Sequence, residues 1–273
     1  MILVNGVPSD AIAVTDRGLA YGDGVFRTLA VRGGQPRQWR RHYDRLSRDC
    51  AALGIVCPDE TTLRSDLTQL SRSGSDFAVK IIITRGSGPR GYAPPSPAQP
   101  TRIVSALALP QYPQDFAARG IRLRLCTIRL GFQPALAGVK HLNRLENVLA
   151  RQEWDNADIA EGLLCDIESN AICGTMTNLF MVERGALLTP ELSRCGVAGV
   201  TRDRVIDAAD QHGVACHVEN IAYERLLQAE EVWLTNSLVG IWQARELGDR
   251  SWAPGTLAAR MRQWLDEESA QSP

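Results

Sequence analysis

Three apolar runs rich in β-branched residues, VFRTLAV (25–31), FAVKIIITR (77–85) and RIVSALAL (102–109), predict strands in the first part of the chain. The opening Ile2 to Val4 and Val7 flank Asn5-Gly6, a dipeptide that tolerates positive φ at both central positions, so a tight type I′ hairpin is expected there. Between these runs, RHYDRLSRDCAALGI sets Tyr43, Leu46, Cys50 and Leu53 at helical spacing and stops at Gly54. One amphipathic helix over a sheet follows, and the first half reads as α+β.

The segment PQYPQDF, residues 110–116, places two prolines among polar residues and marks a boundary between a domain over 1–110 and a second over 117–273. Beyond it, RLRLCTIRL alternates as a strand should. AGVKHLNRLENVLAR (137–151) then reads as a helix with Leu142, Leu145, Val148 and Leu149 facing inward and Lys140 at its mouth. GLLCDI, TNLFMVE and ALLTP are strand-like, with Arg184-Gly185 turning the last two into a hairpin. GVTRDRVIDAADQHG reads as a glycine turn opening a helix that ends at Gly213, and EVWLTNS as a short buried strand. The pattern is two α/β, sandwich-like halves with neither a Rossmann nor a TIM-barrel order.

Composition narrows the function classes. With 273 residues the chain can bury a sizeable core, and 30 basic against 31 acidic side chains give no electrostatic reason for a nucleic-acid or membrane partner. The seven cysteines, Cys50, Cys57, Cys126, Cys165, Cys173, Cys195 and Cys216, form no CxxC pair, so reduced thiols in a cytosol are expected, with no metal site and no disulfide scaffold. No apolar run approaches a membrane span, and a soluble cytoplasmic protein is the expectation.

Two features carry chemistry. Taken alone, Lys140 is an ordinary exposed side chain; a positive helix terminus and a dry pocket would turn it into an amine able to condense with a carbonyl. In GVAGVTRDR, glycines precede a helix start, so the backbone N–H groups of Val200 and Thr201 would point at a docked phosphate. Arg45 could add a bidentate clamp, and Asn236 and Ser237 at the end of EVWLTN could donate further hydrogen bonds.

DRGLAYGDGVFRT (16–28), HYDRL, KIIITRGSGPRGY, AGVKHLNRLENVLAR, TNLF, GVTR and LTNSLVG follow one another in the order and spacing of the fold-type IV pyridoxal phosphate enzymes. The chain resembles that class IV aminotransferase family, to which the D-amino-acid aminotransferases belong, over essentially its full length. Within it, RGSGPRGY together with KHLNRLE resembles the aminodeoxychorismate lyases more than the branched-chain or D-amino-acid aminotransferases. The resemblance implies a two-domain α/β fold with pyridoxal 5'-phosphate in a cleft, a homodimer, and a small-molecule substrate, 4-amino-4-deoxychorismate, cleaved to 4-aminobenzoate and pyruvate. It makes Lys140 the covalent anchor of the cofactor and the base that moves the proton. Arg45, Val200, Thr201, Asn236 and Ser237 become the phosphate cup, and Thr28 a hydroxyl that helps protonate the departing pyruvate.

One position departs from the family pattern. Five residues before the TNLF asparagine, where a glutamate normally bonds the pyridine nitrogen, stands Cys173. Amino transfer needs a protonated pyridine as electron sink, whereas an elimination driven by formation of an aromatic ring needs less withdrawal, so Cys173 favours the lyase unless it is a thiolate replacing the lost carboxylate. Glu168 in DIESN is the nearest upstream acid. The dicarboxylate substrate calls for further cations or hydroxyls, for which Arg90 and Tyr92 on a glycine-rich loop and Arg144 beyond Lys140 are the candidates. Two rivals stay open: an aminotransferase of the same fold, and a protein that kept the fold but lost the activity.

Overall fold

The computed structural model describes residues 1–71, 76–113 and 115–271, and these form two compact units. The first contains Met1–Pro110 and Val139–Asn143; the second contains Gln111–Gly138 and Arg144–Gln271. The proline segment read as the boundary includes Gln114, which lies outside the described residues.

In the first unit the elements are β1 (Ile2–Val4), β2 (Val7–Pro8), α1 (Arg17–Tyr21), β3 (Gly24–Arg32), β4 (Gln35–Pro36), α2 (Trp39–Ala52), α3 (Glu60–Leu70), β5 (Phe77–Thr84) and β6 (Thr101–Leu107). Among the described residues the strands make one six-stranded sheet in the order β2-β1-β6-β5-β3-β4. Asn5 and Gly6 both take positive φ, 51° and 85°, as the expected hairpin requires. β3 and β5 pair antiparallel from Gly24↔Thr84 to Val31↔Phe77, which puts Thr28 opposite Lys80. Because side chains alternate across a strand, Val25, Leu29 and Val31 pack into the core with Leu46 and Cys50 of α2, while Phe26 and Thr28 belong to the opposite face. Leu46 is 1% exposed, a burial that stabilises by about 1.5–3 kcal/mol. The helix ends where glycine was expected to end it: Gly54 takes φ 62°, and its N–H bonds the Ala51 carbonyl at 3.0 Å.

The second unit contains α4 (Phe116–Arg119), β7 (Ile121–Leu130), α5 (Leu145–Arg151), β8 (Ile159–Asp166), β9 (Ala171–Gly174), β10 (Asn178–Glu183), β11 (Ala186–Pro190), α6 (Val200–Gln211), β12 (Cys216–Glu219), α7 (Tyr223–Leu226), β13 (Glu231–Asn236), β14 (Gly240–Leu247), β15 (Arg250–Ser251) and α8 (Thr256–Gln271). It is not sandwich-like. β10, β13, β14, β7, β8 and β9 pair in sequence, and β9 returns to β10 at Asn178↔Cys173, closing a barrel. Leu179 and Met181 of β10 enter one core with Leu234 and Ile121, while Phe180 and Val182 enter another with Val205 of α6 and Met261 of α8. The Arg184-Gly185 hairpin forms as expected, with both residues at positive φ.

The helix expected over 137–151 is corrected to seven residues, Leu145–Arg151. Lys140 does not stand at a helix mouth: His141 bridges Val25 of β3, and the Phe26 N–H donates to the Lys140 carbonyl at 2.9 Å, so the lysine is on extended backbone. The helix-terminus effect invoked for its amine is therefore absent. These strand bonds also move the lysine segment from the C-terminal domain, where it was expected, into the first unit. The inward apolar face is corrected too, because Leu145, Val148 and Leu149 are 74%, 48% and 51% exposed.

Candidate active site

In the first unit the Lys140 main chain is held from two directions. Its carbonyl accepts from Phe26 N and the Leu142 N–H donates to Gly24 O at 2.9 Å, while the Lys140 N–H donates to Asp49 Oδ2 at 3.1 Å. This close approach needs the glycines of YGDGV: a Cβ on Gly24 would lie 2.8 Å from Leu142 Cδ1, and one on Gly22 would lie 2.4 Å from Asn143 Oδ1. The amine emerges on the face that carries Phe26 and Thr28. Lys140 Nζ is 4.5 Å from the Phe26 ring centroid, and Lys80 Nζ lies 5.2 Å from the same centroid. The sequence reading missed Lys80; its pairing opposite Thr28 was the available signal, since period two puts both side chains on one face.

Arg45 is half-buried on α2, and its charge acts on Asp49 one helical turn on, the residue that accepts the Lys140 N–H. Burial pushes the Asp49 carboxyl up, against the pull of Arg27, the Lys140 N–H and Arg45. Asp23, between the two glycines, is also pushed up by burial, but Arg85 and Arg17 outweigh that and hold it below the usual carboxylate range. Arg17 further donates to the carbonyls of Gly91, Tyr92 and Ala93, and Tyr21 Oη accepts from the Gly91 N–H. The glycine-rich loop of Arg90 and Tyr92 is thus tied at several points, with Arg90 exposed and Tyr92 87% exposed.

In the second unit α6 begins at Gly199, which offers no side-chain cap, and the leading amides of Val200 and Thr201 have no intrahelical carbonyl to bond. A Cβ on Gly199 would lie 2.2 Å from Asn178 Oδ1, and Asn178 in turn donates to Val197 O at 2.6 Å, fixing the approach to the helix. Thr201 Oγ1 and Ser237 Oγ stand 3.5 Å apart. Thr235 Oγ1 is buried with no hydrogen-bond partner among the described residues. The Asn236 Oδ1 accepts from Leu238 N and Val239 N and its Nδ2 donates to Met176 O, so this side chain shapes the turn after β13.

Cys173 lies on β9 at 7% exposure. Burial, with Cys195 and Glu161 adding to it, pushes its thiol up, the direction that disfavours a thiolate in place of the lost carboxylate. Glu168 does not substitute either; its exposed carboxylate pairs with Arg194 at 2.7 and 2.8 Å. The acid that the sequence reading overlooked is Glu161 on β8, 1% exposed, which accepts from Gly162 N, Thr175 N, Met176 N and the Thr177 hydroxyl at 2.9–3.1 Å. It holds the turn between β9 and β10 in shape. Its only sequence signal was a lone acid opening the apolar run GLLC. Burial raises its carboxyl, opposed by those donors. Arg144 is not one helical turn from Lys140; it precedes α5 and lines a cavity of about 580 Å³ with Asn147, Arg151, Glu161, Thr175 and Met176.

Comparison with known proteins shows the family. The amino-transferase class IV family matches residues 24–247. An aminodeoxychorismate lyase of Vibrio harveyi is 36% identical over 241 residues, covering 88% of this chain and 89% of that one. A putative branched-chain-amino-acid aminotransferase of Methanocaldococcus jannaschii is 30% identical over 88% of this chain and 83% of its own length. The crystal structure of 4-amino-4-deoxychorismate lyase from Pseudomonas aeruginosa superposes with a TM-score of 0.94 at 44% identity, covering 98% of this chain and 99% of that one. Escherichia coli branched-chain amino acid aminotransferase, at 20% identity and a TM-score of 0.85 over 98% of this chain and 94% of that one, shares the fold. Lys140 and the start of α6 both lie within the matched span, and this chain belongs to the class IV aminotransferase family.

Proposed function

We propose that this chain is a pyridoxal-phosphate-dependent lyase that converts 4-amino-4-deoxychorismate to 4-aminobenzoate and pyruvate. The observation that carries the reading is Lys140, its backbone fixed by β3 and Asp49 and its amine on the face shared by Thr28 and Lys80. The likeness to the Vibrio harveyi and Pseudomonas aeruginosa lyases over nearly the whole chain supports it.

Pyridoxal phosphate, the cofactor of this family, supplies when bound an aldehyde that condenses with amines and a conjugated ring that draws electron density from the bond that breaks. The donor set fits it. In the second unit the Val200 and Thr201 amides, the hydroxyls of Thr201 and Ser237 and the Thr235 hydroxyl, which has no partner among the described residues, would suit a phosphate dianion, and Arg45 is the cation that the resemblance assigns to it. Lys140 Nζ would hold the cofactor, and its amine would serve as the base that takes the proton from the ring carbon bearing the substrate amine. The C–H electron pair completes the aromatic ring as the C–O bond to the enolpyruvyl group breaks. Thr28 Oγ1 hands a proton to that departing fragment. Lys80 and Arg90 provide cations for the two substrate carboxylates, with Tyr92 beside Arg90 and Arg144 as the further candidate in the second unit.

A second reading, amino transfer, is favoured by the 30% identity to the Methanocaldococcus jannaschii protein. Cys173 argues against it, because a thiol that burial disfavours from ionising stands at the position where the resemblance places a glutamate. The homodimer belongs to the proposal: Leu145, Val148 and Leu149 form an exposed apolar stripe that a second copy would cover. A cytosolic setting fits seven cysteines that are all free thiols, and among the described residues no helix is long and apolar enough to cross a membrane. Borohydride reduction followed by peptide mass spectrometry tests the reading. A covalent cofactor mass on Lys140, absent in Lys140→Ala together with a loss of activity of about 10³-fold or more, is expected; an unlabelled Lys140 in active protein overturns it.

A further inference from the structure

Arg27 and Asp49 are an expensive pair to keep. Both are almost fully buried, at 2% and 3% exposure, and the Arg27 Nη2 donates to Asp49 Oδ2 inside an apolar core that includes Leu29, Leu46 and Cys50. Buried ion pairs contribute little net stability compared with apolar side chains of similar volume, so a pair in this position calls for another reason. The backbone supplies one. The short antiparallel pairing of residues 140–142 with β3 uses the Lys140 carbonyl and the Leu142 N–H. The Lys140 N–H donates instead to Asp49 Oδ2 at 3.1 Å, across 91 positions of sequence.

We propose that Asp49, charge-matched by Arg27, is the positioning residue for Lys140: its carboxylate accepts the Lys140 backbone N–H and sets where the amine leaves the chain. Removing the acceptor frees the Lys140 peptide plane to rotate, and a displacement of the amine of about 1 Å costs on the order of 100-fold in rate. The same carboxylate feels the charge of Arg45 one helical turn earlier, so α2 carries both the proposed phosphate clamp and the lysine anchor. The inference rests on the reading that Lys140 takes the cofactor.

Two double variants of the full chain separate the acceptor from the ion pair. Arg27→Leu/Asp49→Asn removes both charges and keeps an acceptor; Arg27→Leu/Asp49→Leu removes the charges and the acceptor together. Hydrogen exchange at single-residue resolution should leave the Lys140 amide within about threefold of wild type in the first and speed it about 30-fold or more in the second, with β5 amides unchanged in both. Covalent labelling of Lys140 by pyridoxal phosphate, trapped with borohydride, should slow about tenfold or more only in the second. Equal Lys140 exchange and equal labelling in the two variants overturn the proposal. Should the leucine variant fail to fold, Arg27→Leu/Asp49→Asn alone decides, because loss of Lys140 amide protection with both charges gone and the acceptor retained contradicts the proposal. Wild-type protein that takes no label on Lys140 defeats the functional reading instead, while the exchange comparison still judges the anchor.

Discussion

Cys173 shows how much one side chain's environment says about chemistry. The thiol is packed with Ile172, Leu192 and Cys195, and desolvation keeps it protonated, so it is an apolar filler at the position where relatives of the transaminase type would want a charge. Cys173→Ala should keep lyase activity within about threefold while lowering stability by roughly 1 kcal/mol, measured by product formation and by urea unfolding. Loss of activity on that change would mean that the sulfur takes part. Residues also mark where sequence reading stops. Lys140, Arg45, Thr201 and Ser237 could be singled out because each lies in a local motif; the Asp49 bond to Lys140 and the donors that Thr175, Met176 and Thr177 give Glu161 could not, since those partners are distant in sequence.

At the scale of elements, legibility follows the range of the forces involved. The Asn5-Gly6 hairpin, α2 with its stop at Gly54, and the β3 and β5 strands were readable because turn chemistry and periodicity are local. The stretch 137–144 was misread because Leu142, Leu145 and Leu149 satisfy helical spacing, while hydrogen bonds to β3 win over residues 140–142. The α6 terminus depends on a missing side chain: Gly199 lets Asn178 Oδ1 approach to within 2.2 Å of where a Cβ would be. Gly199→Ala should therefore shift the first turn of α6 and weaken pyridoxal phosphate binding by about tenfold or more, with the melting temperature changed by only a few degrees. Unchanged affinity in a titration would remove α6 from the phosphate site.

At the scale of the whole molecule, the apolar stripe of α5 separates a folded chain from an assembled one. Leu145, Val148 and Leu149 are turned outward, a periodicity that sequence alone assigned to the chain's own core. Leu145→Asp/Leu149→Glu should yield a monomer in analytical ultracentrifugation where the wild type sediments as a dimer, at little cost to the stability of either unit, because the changed side chains are exposed. A wild-type monomer would mean that the stripe faces another partner. The most direct test of the chemistry needs the whole chain loaded with pyridoxal phosphate and given 4-amino-4-deoxychorismate. Equal molar amounts of 4-aminobenzoate and pyruvate are expected; rapid amino transfer from D-alanine or L-leucine to a keto acid, with no 4-aminobenzoate formed, would contradict the account.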